Sequence, residues 1–428
     1  AFSVMMLRSA NRLARGLKFS SPWLCGRRDL SSQSGDGGLF SPTPEHSQLR
    51  EMVRQFAESE VDPQAQEFNE KETFNLPLFK KLGDLGLLGV TVPAKYGGSE
   101  MDATAAVIAH EELAASDPAF CLSYLAHSML FTHNLEVNGN EEQKKRFLPD
   151  ACSGAKLGGM CMTEPSVGTD VLGLRTTAVK QGDGSYVLNG AKMWITNGCV
   201  NDTELGDVFL VYAKTGESGG RSVSLFLVEK HMAGFSLGQK IRGKCGMRAS
   251  NTTELVFEDV IVPKQNLIGL EGDAMLCMMR NLEIERLTLA AMSTGIARRC
   301  IEVMNNYCRQ RQAFGQPLAN FGQIQRHIAD SYAEWMAARS YVYYVASNMT
   351  HQSMGTRMDS DGVKLVASVM AKNVADRAIQ CLGGYGYVGE YQVERLWRDA
   401  KLLEIGGGTI EAHQKNMTKD LAKYPKLV

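Results

Sequence analysis

A multidomain α+β fold, with helices first, strands in the middle and helices again, is what the hydrophobic patterning of this 428-residue chain predicts. Three observations carry that prediction. Apolar residues recur at steps of three and four from Pro44 to about Cys152 and again after Leu270, the periodicity of amphipathic helices. Between about Gly158 and Pro263 the texture changes to short runs rich in Val, Thr, Phe and Tyr, bounded by Gly, Asn and Asp, which read as strands. The chain also exceeds the size at which one hydrophobic core keeps growing, so more than one unit is expected. The boundaries drawn from these shifts are 44–157 for a first helical domain, 158–268 for a β domain and 269–428 for a second helical domain.

Ahead of the first domain, Arg8, Arg12, Arg15, Lys18, Arg27 and Arg28 all precede the first acidic residue, Asp29. They are interspersed with Leu, Ala, Phe and Ser and end in the flexible run SSQSGDGG. An Arg-rich, Ser-rich and acid-poor leader has the composition of an organellar transit peptide, so residues 1–35 are set aside from the fold and a mitochondrial matrix location is expected. A disordered basic tail has the same composition.

In the first domain, HSQLREMVRQFAESEV places Leu49, Met52, Val53, Phe56 and Ala57 on one side of a helix. Breakers at Tyr96, Gly97, Gly98 and Ser99 separate it from a second helical group, clearest in TAAVIAHEELAAS. The middle runs SYVLNGAKMWIT, DVFLVYAKT, SVSLFLVEK and TTELVFEDVIV are evenly spaced, which argues for a compact antiparallel barrel or sandwich. After Leu270, long amphipathic segments are broken at GQPLANFG, at HQSMGTRMDSDG and near Gly383.

A hydrophobic fraction of 44%, a charged fraction of 22% and a formal net charge of -1 describe an ordinary globular protein and argue against nucleic acid as a partner. No uninterrupted apolar run is long enough to cross a bilayer. Ten cysteines, from Cys25 to Cys381, show neither a CxxC pair nor a His spacing typical of zinc, so they read as reduced core thiols and no metal is expected.

One charge is out of place. Met278, Leu282, Glu285, Leu289, Met292 and Ile296 share a helical face, and Glu285 is the only charge on it. A buried carboxylate stays neutral, finds a cation or serves as a base poised by desolvation, and the pattern leaves these readings open. Glu283 projects almost opposite, three residues before Arg286, and reads as one half of a solvated pair.

Four clusters interrupt the regular elements. CMTEPSVGTD offers Thr163, Ser166 and Thr169 as hydroxyl donors around Pro165 and Gly168, suited to a polar ligand edge or to a plain connection. In WITNG, Trp194 brings a flat apolar face beside the Thr196 hydroxyl, although such an aromatic more often fills a core. RQRQAFGQ contains Arg311, whose planar fork binds phosphate oxygens in pairs. QCLGGYGY holds Gly383, Gly384 and Gly386, where a backbone can approach a ligand closely. It neither follows a strand nor opens a Rossmann unit, so a dinucleotide fingerprint is rejected.

Taken together and in this order, MTEPSVGTD, WITNG, RQAFGQ, QCLGGYGY and the tail RDAKLLEIGGGTIE make the chain resemble the acyl-CoA dehydrogenase family of flavoproteins from about Pro44 to Lys423. The resemblance implies an N-terminal helical domain, a central antiparallel β-barrel, a C-terminal four-helix bundle, FAD as cofactor and a homotetramer. By position, Met160, Cys161, Met162, Thr163 and Glu164, then Pro165, Ser166, Val167, Gly168 and Thr169, with Trp194, Ile195 and Thr196, would line the isoalloxazine ring. Arg311 would reach the diphosphate, and Gln380, Cys381, Leu382, Gly383 and Gly384 the adenosine part, from a neighbouring subunit. Thr409, Ile410 and Glu411 would close over the cofactor. One departure is Gly322 where the family usually has Gln; here Gln323 follows it.

The second departure concerns the base. Most members of the family carry a catalytic Glu at the place of Gly407, and a branch carries it on the earlier helix, at the place of Glu285. The resemblance therefore assigns the base to Glu285, with Glu404 the next candidate, and the oxyanion donor to the Gly407 N–H. Gly406 replaces a bulkier residue and leaves room for a branched acyl group walled by Leu122 and Leu289. Thr169, Gly220, Arg221, Leu276, Glu283, Ile284, Arg286 and Gly408 map to further acyl-CoA contacts, with Arg286 a partner for a polar end. The implied reaction is α,β-dehydrogenation of isovaleryl-CoA to 3-methylcrotonyl-CoA, with electrons passed to electron-transfer flavoprotein; the alternatives are a family member acting on long-chain or other branched acyl-CoA and a flavin-free scaffold of the same fold.

Overall fold

The computed structural model describes residues 38–216, 222–350 and 357–423. The leader at 1–35, together with Gly220 and Arg221, lies outside the described residues. The first helices are α1 (Pro44–Phe56), α2 (Asp62–Lys71), α3 (Leu76–Asp84), α4 (Ala103–Ser116), α5 (Pro118–His127), α6 (Asn134–Asn138) and α7 (Glu141–Cys152). Local chemistry sets their starts. Thr43 caps α1 with Pro44 at its first position, Asp102 accepts from the Ala105 N–H at 2.9 Å, and Asn140 with Gln143 forms a capping box on α7. Helix α4 is buried on every side, so its sequence shows no polar face; it runs through the interior against the long C-terminal helix.

The middle of the chain forms β1 (Gly158–Cys161), β2 (Thr177–Lys180), β3 (Tyr186–Thr196), β4 (Val208–Lys214), β5 (Val223–Glu229), β6 (Phe235–Lys240), β7 (Thr252–Val262) and β8 (Leu267–Ile268). Of the barrel or sandwich expected, the strands do not close into a barrel. The strands form one sheet in the order β6-β7-β3-β2-β4-β5-β8, with β1 attached to β4. Strand β1 runs parallel to β4, and β2 touches β4 by one parallel pair. Strand spacing reports that strands exist, but closure depends on whether β6 and β8 meet, and here they lie at opposite edges.

Helices α8 (Ala274–Gln310), α9 (Gly322–Asn348), α10 (Arg357–Leu382), α11 (Val393–Leu403) and α12 (Ile410–Leu421) complete the chain, with a small hairpin of β9 (Gln312–Ala313) and β10 (Gln316–Pro317) after α8. Three long helices, α8, α9 and α10, make the bundle, α11 packs on α8 and α10 as its fourth member, and α12 packs on α10. One continuous core joins both helical parts: Val53, Ile108 and Phe120 from the first share it with Met292, Val342, Val374 and Leu396 from the second. Across that junction, the buried Glu111 accepts from Arg50 at 2.9 Å, Arg339 at 2.7 Å, Tyr343 at 2.7 Å and Thr294 at 3.0 Å. Burial raises the Glu111 carboxyl, but Arg339 and Arg50 outweigh that and hold it well below the usual carboxylate range. Such a buried cluster is tolerated because nearly every lone pair is used.

Among the described residues all nine cysteines are unpaired, eight of them buried, and no group of His, Cys, Asp and Glu could hold a metal ion. No helix of the described residues is long and apolar enough to cross a membrane.

Candidate active site

Helix α8 presents the anticipated stripe. Leu289, Met292 and Ile296 are buried, and Glu285 among them is 6% exposed. Its Oε2 has no hydrogen-bond partner among the described residues. Burial pushes the carboxyl up to about 7, against the opposing pull of Arg286 and Lys364. One turn earlier, Asn281 is 2% exposed, and neither atom of its amide finds a partner among the described residues.

Gly407 lies over this carboxylate. A Cβ placed on it would stand 3.5 Å from Glu285 Oε1 and 2.2 Å from Leu289 Cδ1, and the residue sits at φ +68°. Only glycine adopts that conformation cheaply, since other L-residues lose about 1–2 kcal/mol there. The Gly407 N–H makes no hydrogen bond among the described residues. The charge on the apolar stripe and the glycine in the tail therefore share one point in space. Beside it, a Cβ on Gly406 would meet only Leu402, at 3.6 Å or more, so there is free volume there. Leu122 is half-buried on α5, just before a π-helical segment, Ser128–His133, that the helical periodicity does not reveal.

Three further charged side chains, Glu283 and Arg286 on this helix and Glu404 just after α11, have these surroundings. Glu283 is 4% exposed rather than solvated. Arg286, expected to face a polar end of a ligand, is 7% exposed, with its Nη1 3.0 Å from Asp361 Oδ1. Glu404 is held by Lys401 at 2.5 Å. Ile284 is buried next to Glu285, and Leu276 is half-buried in the first turn of α8.

On the sheet, β3 pairs with β7 through two irregularities, the second between Lys192 and Ile195. That bulge re-aims the strand, so Trp194 adopts φ +64° and stands 58% exposed, while Ile195 points into the sheet core. The neighbouring loop is anchored by Met193 N–H donating to Thr163 O at 2.9 Å. Glu164 turns inward: it accepts from Lys192 Nζ at 2.8 Å and from the N–H groups of Arg175 and Thr176 at 2.6 and 2.9 Å. Cys161 is also inside the core, whereas Pro165, Ser166, Gly168 and Thr169 are exposed and Met160, Met162, Thr163, Val167 and Thr196 are half-buried.

A separate group gathers at the C-terminal ends of α8 and α10. Arg311 lies 5.9 Å from the Tyr385 ring centroid, beside the Gly383–Tyr387 turn, and a Cβ on Gly383 or Gly384 would meet nothing within 4 Å. Gln380 borders that turn, with Cys381 and Leu382 buried beneath it, and Gln323 is exposed at the start of α9. Thr409 caps α12 by accepting from the Ala412 N–H at 3.2 Å, with Ile410 half-buried and Glu411 exposed behind it.

The sequence reading missed Asp361, Lys364 and His413. All three are fully buried, and Lys364 donates to Leu403 O. A signal existed for the first two: like Glu285, they are charges among apolar and small residues of a helix, in SDGVKLVAS. For His413 none did, because its carboxylate partner, Asp361, lies 52 residues earlier in the chain.

Three family models match in chain order: the acyl-CoA dehydrogenase N-terminal domain over residues 43–155, the middle domain over 159–260 and the C-terminal domain over 274–422. The mitochondrial isovaleryl-CoA dehydrogenase of Arabidopsis thaliana is 41% identical over 400 residues, covering 93% of this chain and 95% of that protein. A mitochondrial 2-methylacyl-CoA dehydrogenase of Solanum tuberosum is 40% identical, covering 88% of this chain and 90% of that protein. Among solved structures, butyryl-CoA dehydrogenase from Megasphaera elsdenii superimposes with a TM-score of 0.84 at 35% identity, over 89% of this chain and 98% of that one. A Mycobacterium smegmatis glutaryl-CoA dehydrogenase in complex with FADH2 does so with a TM-score of 0.83 at 28% identity, over 90% and 96%. With three matching domains, relatives over nearly its whole length and the fold of solved members, this chain belongs to the acyl-CoA dehydrogenase family.

Proposed function

We propose that the chain oxidises a short branched acyl-CoA, isovaleryl-CoA to 3-methylcrotonyl-CoA, with Glu285 as the base that removes the α-proton. The juxtaposition of Glu285 and Gly407 carries this reading. A weak carbon acid needs a base whose proton affinity is raised by desolvation, and Glu285 at about 7 has it. The free Gly407 N–H beside it is a donor for the thioester oxygen as negative charge develops there. Gly406 leaves the volume that a branched chain needs, and Leu122 and Leu289 supply its walls.

The residues present suit FAD. Trp194 stands out from the bulge as an exposed ring platform, the loop at 163–169 offers hydroxyls beside it, and Arg311 with the open Gly383–Gly384 backbone suits a diphosphate and adenosine. When bound, FAD supplies the acceptor for the β-hydrogen as hydride. The exposed Phe314, at 95%, and Tyr387, at 84%, support assembly with further copies, for which the proposed form is a homotetramer. Electron-transfer flavoprotein is the proposed electron acceptor. Relatives named as mitochondrial support a location in the mitochondrial matrix.

Two measurements test the reading. Glu285→Gln should keep FAD and oligomeric state while turnover drops by several orders of magnitude; substantial residual activity would move the base elsewhere, Glu404 first. Side-by-side turnover of isovaleryl-CoA, 2-methylbutanoyl-CoA, isobutyryl-CoA and palmitoyl-CoA should rank isovaleryl-CoA first, and any other order would reassign the substrate.

A further inference from the structure

The turn that carries Gly407 has little to hold it. Gly407 and Gly408 both have positive φ, at +68° and +103°, and the backbone bonds around them are Ile405 N–H to Leu402 O at 2.9 Å, Gly406 N–H to Leu402 O at 2.8 Å and Ile410 N–H to Glu404 O at 3.2 Å. Glycines lose the most conformational freedom on being fixed, so something else must define where the Gly407 N–H points. Two buried contacts do so, and both start from α10. Lys364 Nζ donates to Leu403 O before the turn. One helical turn earlier, Asp361 Oδ1 lies 2.6 Å from His413 Nδ1, and His413 Nε2–H donates to Gly408 O at 3.0 Å after the turn. A Cβ on Gly408 would press on the His413 ring at 3.0 Å, so ring and turn are in close contact. The same Asp361 oxygen takes Arg286 Nη1 at 3.0 Å, and Arg286 is the residue after Glu285. The chain of contacts Arg286–Asp361–His413–Gly408 thus ties the helix of the base to the backbone of the glycine turn.

We propose that Asp361 and His413 form a positioning clamp that sets the Gly407 N–H against Glu285 for the chemical step. The proposal rests on the reading of Glu285 as base and Gly407 as oxyanion donor. Neither residue touches substrate; each acts through the backbone of the turn. Errors of about 1 Å in such a constellation cost roughly a hundredfold in rate.

The test uses the FAD-loaded enzyme with isovaleryl-CoA. His413→Phe keeps a ring of similar size and removes both hydrogen bonds; it should retain FAD and an unchanged KM while kcat falls roughly a hundredfold. Exchange of the α-hydrogen of a non-oxidisable 3-thia-acyl-CoA into D2O should slow in parallel, a readout that needs no hydride transfer. His413→Gln, which can still donate to Gly408 O, should recover about tenfold of the loss. Wild-type kcat in H413F, or H413Q no faster than H413F, would overturn the clamp. Should H413F lose FAD, Asp361→Asn decides, with unchanged kcat again fatal; loss of FAD in all three variants would assign the pair to folding alone and overturn the proposal equally. Wild-type kcat in H413F beside an inactive E285Q sinks only the clamp, whereas an active E285Q sinks the reading beneath it.

Discussion

Gly407 stands directly over Glu285: a Cβ on the glycine would be 3.5 Å from the Glu285 Oε1, and the same Cβ would collide with Leu289 at 2.2 Å. Two positions separated by 122 residues thus meet at one point, and the carboxylate found there is the one carried by the helix. The geometry also shows why the two are not freely exchanged, because Leu289 occupies the space that a side chain at 407 would need.

Transplanting the carboxylate should therefore fail without repacking. Glu285→Gln combined with Gly407→Glu is expected to remain inactive towards isovaleryl-CoA, and adding Leu289→Ala should restore part of the turnover. The positive φ at Gly407 keeps that recovery incomplete, since a side chain there loses about 1–2 kcal/mol. Full activity in the double variant would show that Leu289 is no obstacle.

The pH dependence should show the base directly. With burial placing Glu285 at about 7, kcat/KM is expected to fall as pH drops below that value. Lys364 favours the ionised carboxylate, so Lys364→Met should raise the Glu285 pKa further and move the acidic limb to higher pH, by about one unit. A limb that stays put, or shifts downwards, would remove Lys364 from the electrostatics of the site.

The same burial makes a stability prediction of definite sign. The folded-state pKa of about 7 lies above the ordinary carboxylate value of 4.5, so the folded protein binds the extra proton between them and ionisation opposes folding at higher pH. Its cost at pH 8 is on the order of 3 kcal/mol. E285Q should unfold at a higher temperature than the wild type at pH 8, and the difference should vanish below about pH 4.5. An E285Q that is less stable at pH 8 would contradict the burial argument.

Beneath the loop at 163–169, Lys192 and Glu164 form a buried pair at 2.8 Å. Lys192→Met leaves the carboxylate unpaired and should destabilise the protein by about 3–5 kcal/mol. The double variant with Glu164→Gln should recover much of that. Denaturant unfolding measures both, and equal losses in the single and double variants would show that the pair is not what holds the loop.

Much of this molecule is legible in local pattern. Helices with a one-sided apolar stripe, such as α1, and strands bounded by turn residues announce themselves because side-chain period follows directly from backbone geometry. Glu285 was visible for the same reason, as the one charge on a periodic apolar face. Glu283 was misread because spacing to Arg286 along one helix cannot show which neighbours cover it. The barrel was over-read because sheet closure depends on which edge strands meet, and the π-helical segment after α5 leaves no mark in periodicity.

The order of helices, strands and helices, the leader composition and the lone charge at Glu285 on an apolar helical face all follow from residue type and spacing along the chain, which are one-dimensional properties; the role of that charge as a base came from the family resemblance. Whether Glu285 has a hydrogen-bonded partner, whether the tail glycine 122 residues away reaches it, and that Asp361 meets His413 across 52 residues of chain were decided only when these segments packed together. Burial, desolvation and hydrogen-bond satisfaction are properties of surroundings, and a side chain acquires its surroundings only on folding.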